Sequence, residues 1–170
     1  MRVVTDMAKR PYHVLFLCTH NSARSIMAEV IINDVGQGRF KGFSAGSHPR
    51  AVPNAFALET LRRLHFRTEG LYSKDWHEFA KPGAPVMDFV LTVCDQAAGE
   101  ICPVWPGHPI AAHWGVEDPS LVEGTAEAKY REFGRVANLL KRRIELFTSL
   151  PLEKLDRLKI AKSVGAIGKQ

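Results

Sequence analysis

A cysteine and an arginine, Cys18 and Arg24, stand six positions apart in the sequence and are the residues whose types and spacing best suit chemistry. A thiol attacks well only as a thiolate, so a nucleophilic cysteine needs positive potential around it. The Arg24 guanidinium suits tetrahedral oxyanions, and a helix predicted to begin at Ser25 points free backbone N–H groups at the segment before it. The pattern predicts an oxyanion-binding loop made of Thr19, His20, Asn21, Ser22, Ala23, Arg24 and Ser25.

Cys18 also has a plainer interpretation, since a free cysteine that ends a buried strand is often a small hydrophobic residue without chemistry. The residues around it favour a nucleophile. An apolar strand comes before it, Asn21 suits the left-handed conformation that a tight loop requires, and a serine and a helix follow.

The elements that must position these residues follow from short apolar runs alternating with helical patterns, which indicate βα units and a parallel sheet. Strands are predicted at 14–17, 40–45, 85–94 and 109–116, and helices at 25–35, 54–64 and from 125 onward. This order predicts a flavodoxin-like, doubly wound α/β fold: a four-stranded parallel sheet with helices on both faces. Ligands bind beyond the carboxyl ends of such strands, where Cys18, Cys94 and Asp118 all fall.

Composition and charge are those of an ordinary globular protein, since 45% of the 170 residues are hydrophobic, 24% are charged and the net charge is +5. One domain fits this length, and no apolar run approaches the roughly 20 residues that span a bilayer. The basic surplus resembles a solvated helix face and a basic tail, with no aromatic residues interleaved in a stripe. The sequence therefore predicts a cytoplasmic monomer that binds neither membrane nor nucleic acid.

Three cysteines, Cys18, Cys94 and Cys102, are an odd number in a chain with no recognisable export signal. This favours catalytic, metal-binding or inert thiols over a disulfide framework. Zinc ligation by Cys94, Cys102, His108 and His113 is one alternative. Because the intervals between these four residues match no finger or ribbon spacing, we predict neither a firm metal site nor a tightly bound cofactor.

The segment CTHNSARS resembles the phosphate loop of the low-molecular-weight protein tyrosine phosphatase family. The longer segment FLCTHNSARSIMAE, together with HWGVEDP, resembles the arsenate reductase branch of that family. The resemblance covers residues 13–150. Residues 1–12 are then an N-terminal extension, and residues 151–170 are a partly helical basic tail whose last residues are expected to be loose.

The resemblance implies that Cys18 is the nucleophile, Arg24 the oxyanion clamp and Asp118 a general acid. In the reductases the nucleophile forms a thiol–arsenate adduct, and a second cysteine, a role that Cys94 fits, attacks it and releases arsenite. Cys102 fits a third cysteine that offers the disulfide to thioredoxin. Seven residues separate Cys94 from Cys102, one more than is expected of thioredoxin-linked relatives, and a cysteine common in their loop is replaced by alanine. Glutathione with glutaredoxin is therefore an alternative electron donor.

Three functions stay open at this point. A phosphatase needs Cys18 and a general acid alone, whereas an arsenic–sulfur adduct releases a reduced product only when another thiol supplies the electrons. The additional cysteines therefore favour an arsenate reductase that detoxifies arsenic. The alternatives are a phosphatase acting on phosphotyrosine or small phosphomonoesters, and a non-catalytic oxyanion or thiol redox sensor.

Four residues also match positions that hold a potassium ion in some relatives: Asn21, Glu29, Ser44 and Asp75. Each of three has a plainer explanation, which is loop geometry for Asn21, an exposed helix position for Glu29 and helix capping for Asp75.

Overall fold

Four parallel strands form the sheet of the computed structural model, which describes residues 10–100 and 103–170. The strands are β1 (Tyr12–Cys18), β2 (Phe40–Gly46), β3 (Phe89–Thr92) and β4 (Ile110–His113), in the spatial order β2-β1-β3-β4. This order confirms the predicted flavodoxin-like sheet. Because β1 lies between β2 and β3, the ends of β1 and β3 lie side by side at one edge.

In the described part of the chain, five α-helices connect and follow the strands: α1 (Arg24–Val35), α2 (Ala55–Arg63), α3 (Asp95–Ala98), α4 (Ala126–Thr148) and α5 (Arg157–Ile167). Asn54 and Thr125 cap α2 and α4, because their side-chain oxygens accept hydrogen bonds from first-turn N–H groups. Single 3₁₀ turns span Trp76–Phe79, Pro119–Leu121 and Leu152–Lys154. None of the helices in residues 10–100 and 103–170 combines the length and apolar composition needed to cross a membrane.

Different elements cover the two faces of the sheet. Val14 and Phe16 of β1 belong to a large hydrophobic core to which α1, α2, α4 and α5 contribute. Leu15 and Leu17 belong to a smaller core that includes the turn at Trp76–Phe79. Since side chains alternate between the faces of a strand, the turn at Trp76–Phe79 covers one face of the sheet, while α1, α2, α4 and α5 pack on the opposite face.

β3 is shorter than the predicted range 85–94. Before it, the Asp88 carboxylate accepts a hydrogen bond from His13 N at 2.8 Å and pairs with the Arg10 guanidinium at 2.8 Å. The strand ends at Thr92, so Cys94 lies in the connection just before α3.

The expectation that the last residues are loose is wrong. Residues 157–167 form α5, and Val164 and Ile167 are buried in the large core together with Trp114 and Phe147. Ile160, Val164 and Ile167 form a short apolar stripe at helical spacing, which the basic residues around it obscured in the sequence.

A side chain of α1 closes part of the outer edge of β2. Asn33 Nδ2 donates to Gly42 O at 3.2 Å, and Asn33 Oδ1 accepts from Gly42 N at 2.8 Å. A Cβ at Gly42 would collide with the Ile32 side chain, so glycine lets α1 approach the strand this closely.

Candidate active site

The segment from Thr19 to Ala23 forms a tight loop between β1 and α1, and the segment after β2 holds it from outside. Three backbone N–H groups of that outer segment donate to loop carbonyls: His48 to Thr19 (2.8 Å), Arg50 to His20 (3.0 Å) and Asn54 to Ser22 (2.8 Å). These carbonyls therefore face the outer segment, which leaves the loop interior to N–H groups, as an oxyanion requires.

Asn21 gives the loop its sharp bend. Its φ of 43° confirms the predicted left-handed conformation, and its side chain is fully buried. Asn21 Nδ2 donates to Ser25 Oγ at 2.8 Å, and Asn21 Oδ1 accepts from Lys74 N at 2.8 Å. One amide side chain thus ties the loop to the start of α1 and to the segment after β2.

The first turn of α1 points at the same loop. Ala23 occupies the N-cap position, and its methyl group cannot accept the hydrogen bond that Ser, Thr, Asp or Asn normally accepts there. First-turn N–H groups carry partial positive charge and bind anions. An oxyanion in the loop would therefore take the place of the capping side chain.

Cys18 and Cys94 are both free and both buried, and each shifts the pKa of the other. Cys18 ends β1 and Cys94 follows β3 closely, so the pairing of these adjacent strands brings the two sulfurs together. Two further groups contact Cys94 Sγ, namely Thr19 Oγ1 at 3.6 Å and the donating Ala97 N at 3.4 Å.

The pair holds its protons unequally. The interaction with the Cys18 thiol lowers the pKa of Cys94 to about 5 in spite of burial, and the Ala97 N–H adds to this effect. The interaction with Cys94 and burial raise the pKa of Cys18, although the Arg24 charge acts in the opposite direction. The surroundings therefore favour Cys94 over Cys18 as the thiolate of the pair.

Arg24 and Asp118 lie in contact beside the loop. Arg24 Nη2 is 3.4 Å from Asp118 Oδ2, and Arg24 Nη1 donates to Val116 O at 3.0 Å. Asp118 Oδ1 accepts from Ser120 N at 2.9 Å and from Ser120 Oγ at 2.6 Å, which fixes the carboxylate at the start of a 3₁₀ turn. The group predicted to bind the oxyanion and the group predicted to move a proton are therefore neighbours.

Lys74 is a buried cation that sequence reasoning missed. Its side chain is 6% exposed, and its Nζ donates to Tyr72 O at 2.8 Å and lies 3.6 Å from Glu29 Oε1. Ser44 Oγ donates to the same Glu29 oxygen at 3.1 Å. Burial raises the pKa of Glu29, and Lys74 and Ser44 oppose this by stabilising the carboxylate. No periodic pattern marks Lys74, because its partner lies 45 positions earlier, on α1.

The predicted potassium residues are brought together only in part. Glu29 and Ser44 are in direct contact, and Asn21 reaches them through the backbone of Lys74. The Asp75 carboxylate instead accepts from His77 N at 2.8 Å, which confirms its capping role. The exposed position expected for Glu29 is wrong, because its side chain is 12% exposed. Potassium binding stays a prediction.

The remaining predicted residues fall as follows. Cys102 lies outside the described residues, so its predicted part in electron transfer stays a prediction. His113, one of the alternative zinc ligands, contacts Asp95 Oδ1 at 2.7 Å and Thr92 Oγ1 at 2.8 Å. Within residues 10–100 and 103–170, no three His, Cys, Asp or Glu side chains gather as a metal site would need. Sequence reasoning also missed the contact of Thr19 Oγ1 with Cys94 Sγ, because this contact depends on the pairing of β1 with β3.

Comparisons with known proteins agree with this geometry. The sequence model of the family described as low molecular weight phosphotyrosine protein phosphatase matches residues 13–159. An arsenate reductase from Shouchella clausii is 34% identical over 134 residues, which cover 79% of this chain and 93% of that protein.

Solved structures are similar over most of the chain. A thioredoxin-dependent arsenate reductase from Corynebacterium glutamicum is 25% identical with a TM-score of 0.54, covering 82% of this chain and 64% of that one. A low molecular weight protein tyrosine phosphatase from T. tengcongensis shares the fold, with a TM-score of 0.65 at 23% identity, covering 85% of this chain and 99% of that one.

Proposed function

This chain belongs to the low molecular weight phosphotyrosine protein phosphatase family, and within that family we propose that it is a thiol-dependent arsenate reductase. The observation that carries the proposal is the proximity of two free, buried thiols, Cys18 at the end of β1 and Cys94 just after the adjacent strand β3. Hydrolysis of a phosphate ester uses one thiol, whereas reduction of arsenate to arsenite consumes the electrons of two. The name of the Shouchella clausii relative supports the same substrate.

In the first step, Cys18 attacks arsenate bound by the loop N–H groups and Arg24. A sulfur–arsenic bond forms and one arsenic–oxygen bond breaks. The Cys18 proton and one hydroxyl of the dihydrogen arsenate ion leave together as water, and Asp118 passes the proton from the sulfur to the leaving oxygen. Arg24 and the first turn of α1 stabilise the negative charge of the adduct.

In the second step, the Cys94 thiolate attacks the sulfur of Cys18. A sulfur–sulfur bond forms, and the electron pair of the sulfur–arsenic bond stays with arsenic, which leaves as arsenite and takes up protons from solvent. Arsenic(V) is reduced to arsenic(III), and two thiols are oxidised to a Cys18–Cys94 disulfide. The lowered pKa of Cys94 supports this role, because the attacking sulfur must be a thiolate.

An external thiol must then reduce the disulfide. We propose thioredoxin, or glutathione with glutaredoxin, as the donor, with Cys102 passing the disulfide on in the thioredoxin route. The thioredoxin-dependent neighbour from Corynebacterium glutamicum supports the first of these. Because the reaction needs a supply of reducing thiols, we propose a cytoplasmic location. We propose a part in arsenic detoxification because the proposed reaction converts arsenate to arsenite.

A phosphatase is the second candidate, and the contact between Arg24 and Asp118 beside Cys18 favours it. These three groups are sufficient to form a thiol-phosphate intermediate and to protonate a leaving alkoxide. Phosphorus in the adduct is not reduced by a second thiol, so Cys94 has no part in that reaction.

Arsenate-dependent consumption of thiol reductant tests the proposal. Wild type is expected to consume reductant with thioredoxin or with glutathione and glutaredoxin, and Cys94→Ser is expected to stop after one adduct per molecule. Cys102→Ser is the matched control, because it loses turnover with thioredoxin only if Cys102 carries the disulfide.

Hydrolysis of an aryl phosphate shows in each variant that the oxyanion loop is intact, and Cys94→Ser is expected to retain it. A wild type that hydrolyses the aryl phosphate briskly but consumes no reductant with either donor would refute the reductase. The same conclusion would follow if Cys94→Ser turned over arsenate at the wild-type rate.

A further inference from the structure

The last turn of α5 packs against residues 113–118, which we call the acid segment because Asp118 ends it. Trp114 is fully buried, and its Nε1 donates to Val164 O at 2.9 Å. A Cβ on Gly168 would lie 2.7 Å from Trp114 Cδ1 and would collide with the carbonyl oxygen that ends β4. The end of α5 is therefore in backbone contact with the start of the acid segment.

Arg143 of α4 joins these parts from the interior. Its Nη1 donates to Trp114 O at 3.1 Å and to Gly115 O at 3.2 Å, and its Nη2 donates to Gln170 O at 3.0 Å. Arg143 is 6% exposed, and burial lowers its pKa. A guanidinium this deeply buried needs hydrogen-bond acceptors, and these carbonyls come only from the acid segment and the residues after α5.

The far end of the acid segment lies in the candidate active site. Val116 N donates to Val93 O at 3.0 Å, next to Cys94, and Val116 O accepts from Arg24. Asp118 follows two residues later and contacts the same guanidinium. Only three peptide units join Gly115 to Asp118, so a shift of Trp114 and Gly115 would be expected to move the carboxylate.

We propose that the last turn of α5 and Arg143 form a brace that fixes the acid segment and thereby positions Asp118 against Arg24. One side of this brace, made of Val164, Gly168 and Gln170, lies beyond position 159, where the match to the family ends. Arg143 and the acid segment lie within the matched residues. Its catalytic consequence rests on the role proposed above for Asp118, but its mechanical effect does not.

Hydrogen exchange on the full chain tests the brace without reference to activity. Gly168→Ala is the main variant, because φ at Gly168 is −64° and suits alanine, so the added methyl acts only through its contacts with Trp114 and β4. We expect amides of the acid segment to exchange at least about tenfold faster, with α4 amides unchanged. Gly165→Ala is the control, since nothing lies within 4 Å of its added Cβ.

Arg143→Met provides a second test from the other side of the brace, with the exposed neighbour Arg142→Met as its control. The same increase in exchange is expected in Arg143→Met and not in Arg142→Met. Wild-type exchange of the acid segment in both Gly168→Ala and Arg143→Met overturns the proposal, whatever the activities are.

Turnover shows whether the brace acts through Asp118. In Gly168→Ala, kcat is expected to fall about tenfold while the inhibition constant of phosphate stays constant, because a misplaced acid slows proton transfer without weakening oxyanion binding. In an Asp118→Asn background the same change is expected to have no further effect. An equal fall in both backgrounds contradicts action through Asp118.

Hydrolysis of phenyl phosphate and of p-nitrophenyl phosphate provides the same comparison when arsenate is not reduced. The poorer leaving group, phenolate, is expected to suffer more from a misplaced acid. Failure of wild type to reduce arsenate would therefore refute the proposed function alone, whereas unchanged exchange and leaving-group dependence would refute the brace alone.

Discussion

The pKa values of Cys18 and Cys94 are shifted in opposite directions, which bears on which sulfur is reactive before an oxyanion binds. The pKa of Cys94 is lowered and that of Cys18 is raised, and the pairing of β1 and β3 holds the two residues close together. In the proposed first step, Asp118 passes the Cys18 proton to an arsenate oxygen. The raised pKa of Cys18 is therefore expected to keep the proposed nucleophile protonated until substrate is present.

Ultraviolet absorbance of the thiolate tests this arrangement. Wild type is expected to show one thiolate with a midpoint near pH 5, because Cys94 has the lowered pKa. Cys94→Ser is expected to lose that transition. Because folding lowers the pKa of Cys94, its thiolate stabilises the folded protein at pH values above the pKa of an ordinary thiol. This stabilisation is lost as the pH falls through the lowered pKa of Cys94 in the folded protein. A wild type with no thiolate below pH 8 would contradict the assignment.

Lys74 already places a positive charge beside Glu29, one of the residues predicted to bind potassium. Lys74→Met removes the charge that opposes Glu29, and breaking a buried ion pair typically costs about 3–5 kcal/mol of unfolding free energy. Because burial raises the pKa of Glu29, the loss is expected to grow as the pH rises through that pKa. Urea unfolding at several pH values measures it, with the exposed Lys41→Met as the control.

Potassium titration at constant ionic strength completes this test. Lys74→Met is expected to regain turnover and stability as potassium rises, because the ion can pair with Glu29 in place of the ammonium. Wild type is expected to respond little, since Lys74 already neutralises that carboxylate. A strong wild-type response would show instead that potassium binds beside Lys74.

At the scale of elements, the end of β2 sets the shape of the oxyanion loop. A Cβ on Gly46 would lie 2.5 Å from Thr19 O and 2.8 Å from Cys18 O, both backbone atoms that cannot move alone. Gly46→Ala is therefore expected to displace the loop and to lower turnover about 100-fold, with weaker phosphate inhibition.

Gly134→Ala in α4 is the matched control for that change, since nothing lies within 4 Å of its added Cβ. It is expected to leave turnover unchanged and to stabilise the fold by up to about 1 kcal/mol. Steady-state kinetics and urea unfolding measure both effects. Wild-type kinetics in Gly46→Ala would mean that the loop does not depend on β2.

The positions of the elements follow from sequence patterns to different degrees. α1, α2 and α4 begin within one residue of their predicted starts, because apolar periodicity and the caps Asn54 and Thr125 are local signals. The start of β3 and the course of α5 depend on partners far away in the chain, namely Asp88 with His13 and Trp114 with Val164. No local pattern carries that information.

For the molecule as a whole, the part of the candidate site that is continuous in the sequence could be predicted. The part that is formed by residues distant in the sequence could not. Cys18 to Ser25 form one segment, and the order of the strands was sufficient to bring Cys94 to the same edge. Lys74 and Arg143 are buried cations whose partners come from two or more segments that are distant in the sequence. Their side chains look like ordinary surface residues in the sequence, because burial is a property of the assembled fold.

The Asn33 side chain on the rim of β2 also affects how one molecule meets another. An outer strand normally displays unpaired peptide groups, on which the strand of a second chain can assemble and begin an aggregate. At Gly42 both of these groups are already bonded to the Asn33 amide, which imitates the neighbour that a foreign strand would provide. This edge is thereby interrupted near its middle, which makes β2 a poorer template for the strand of a second molecule.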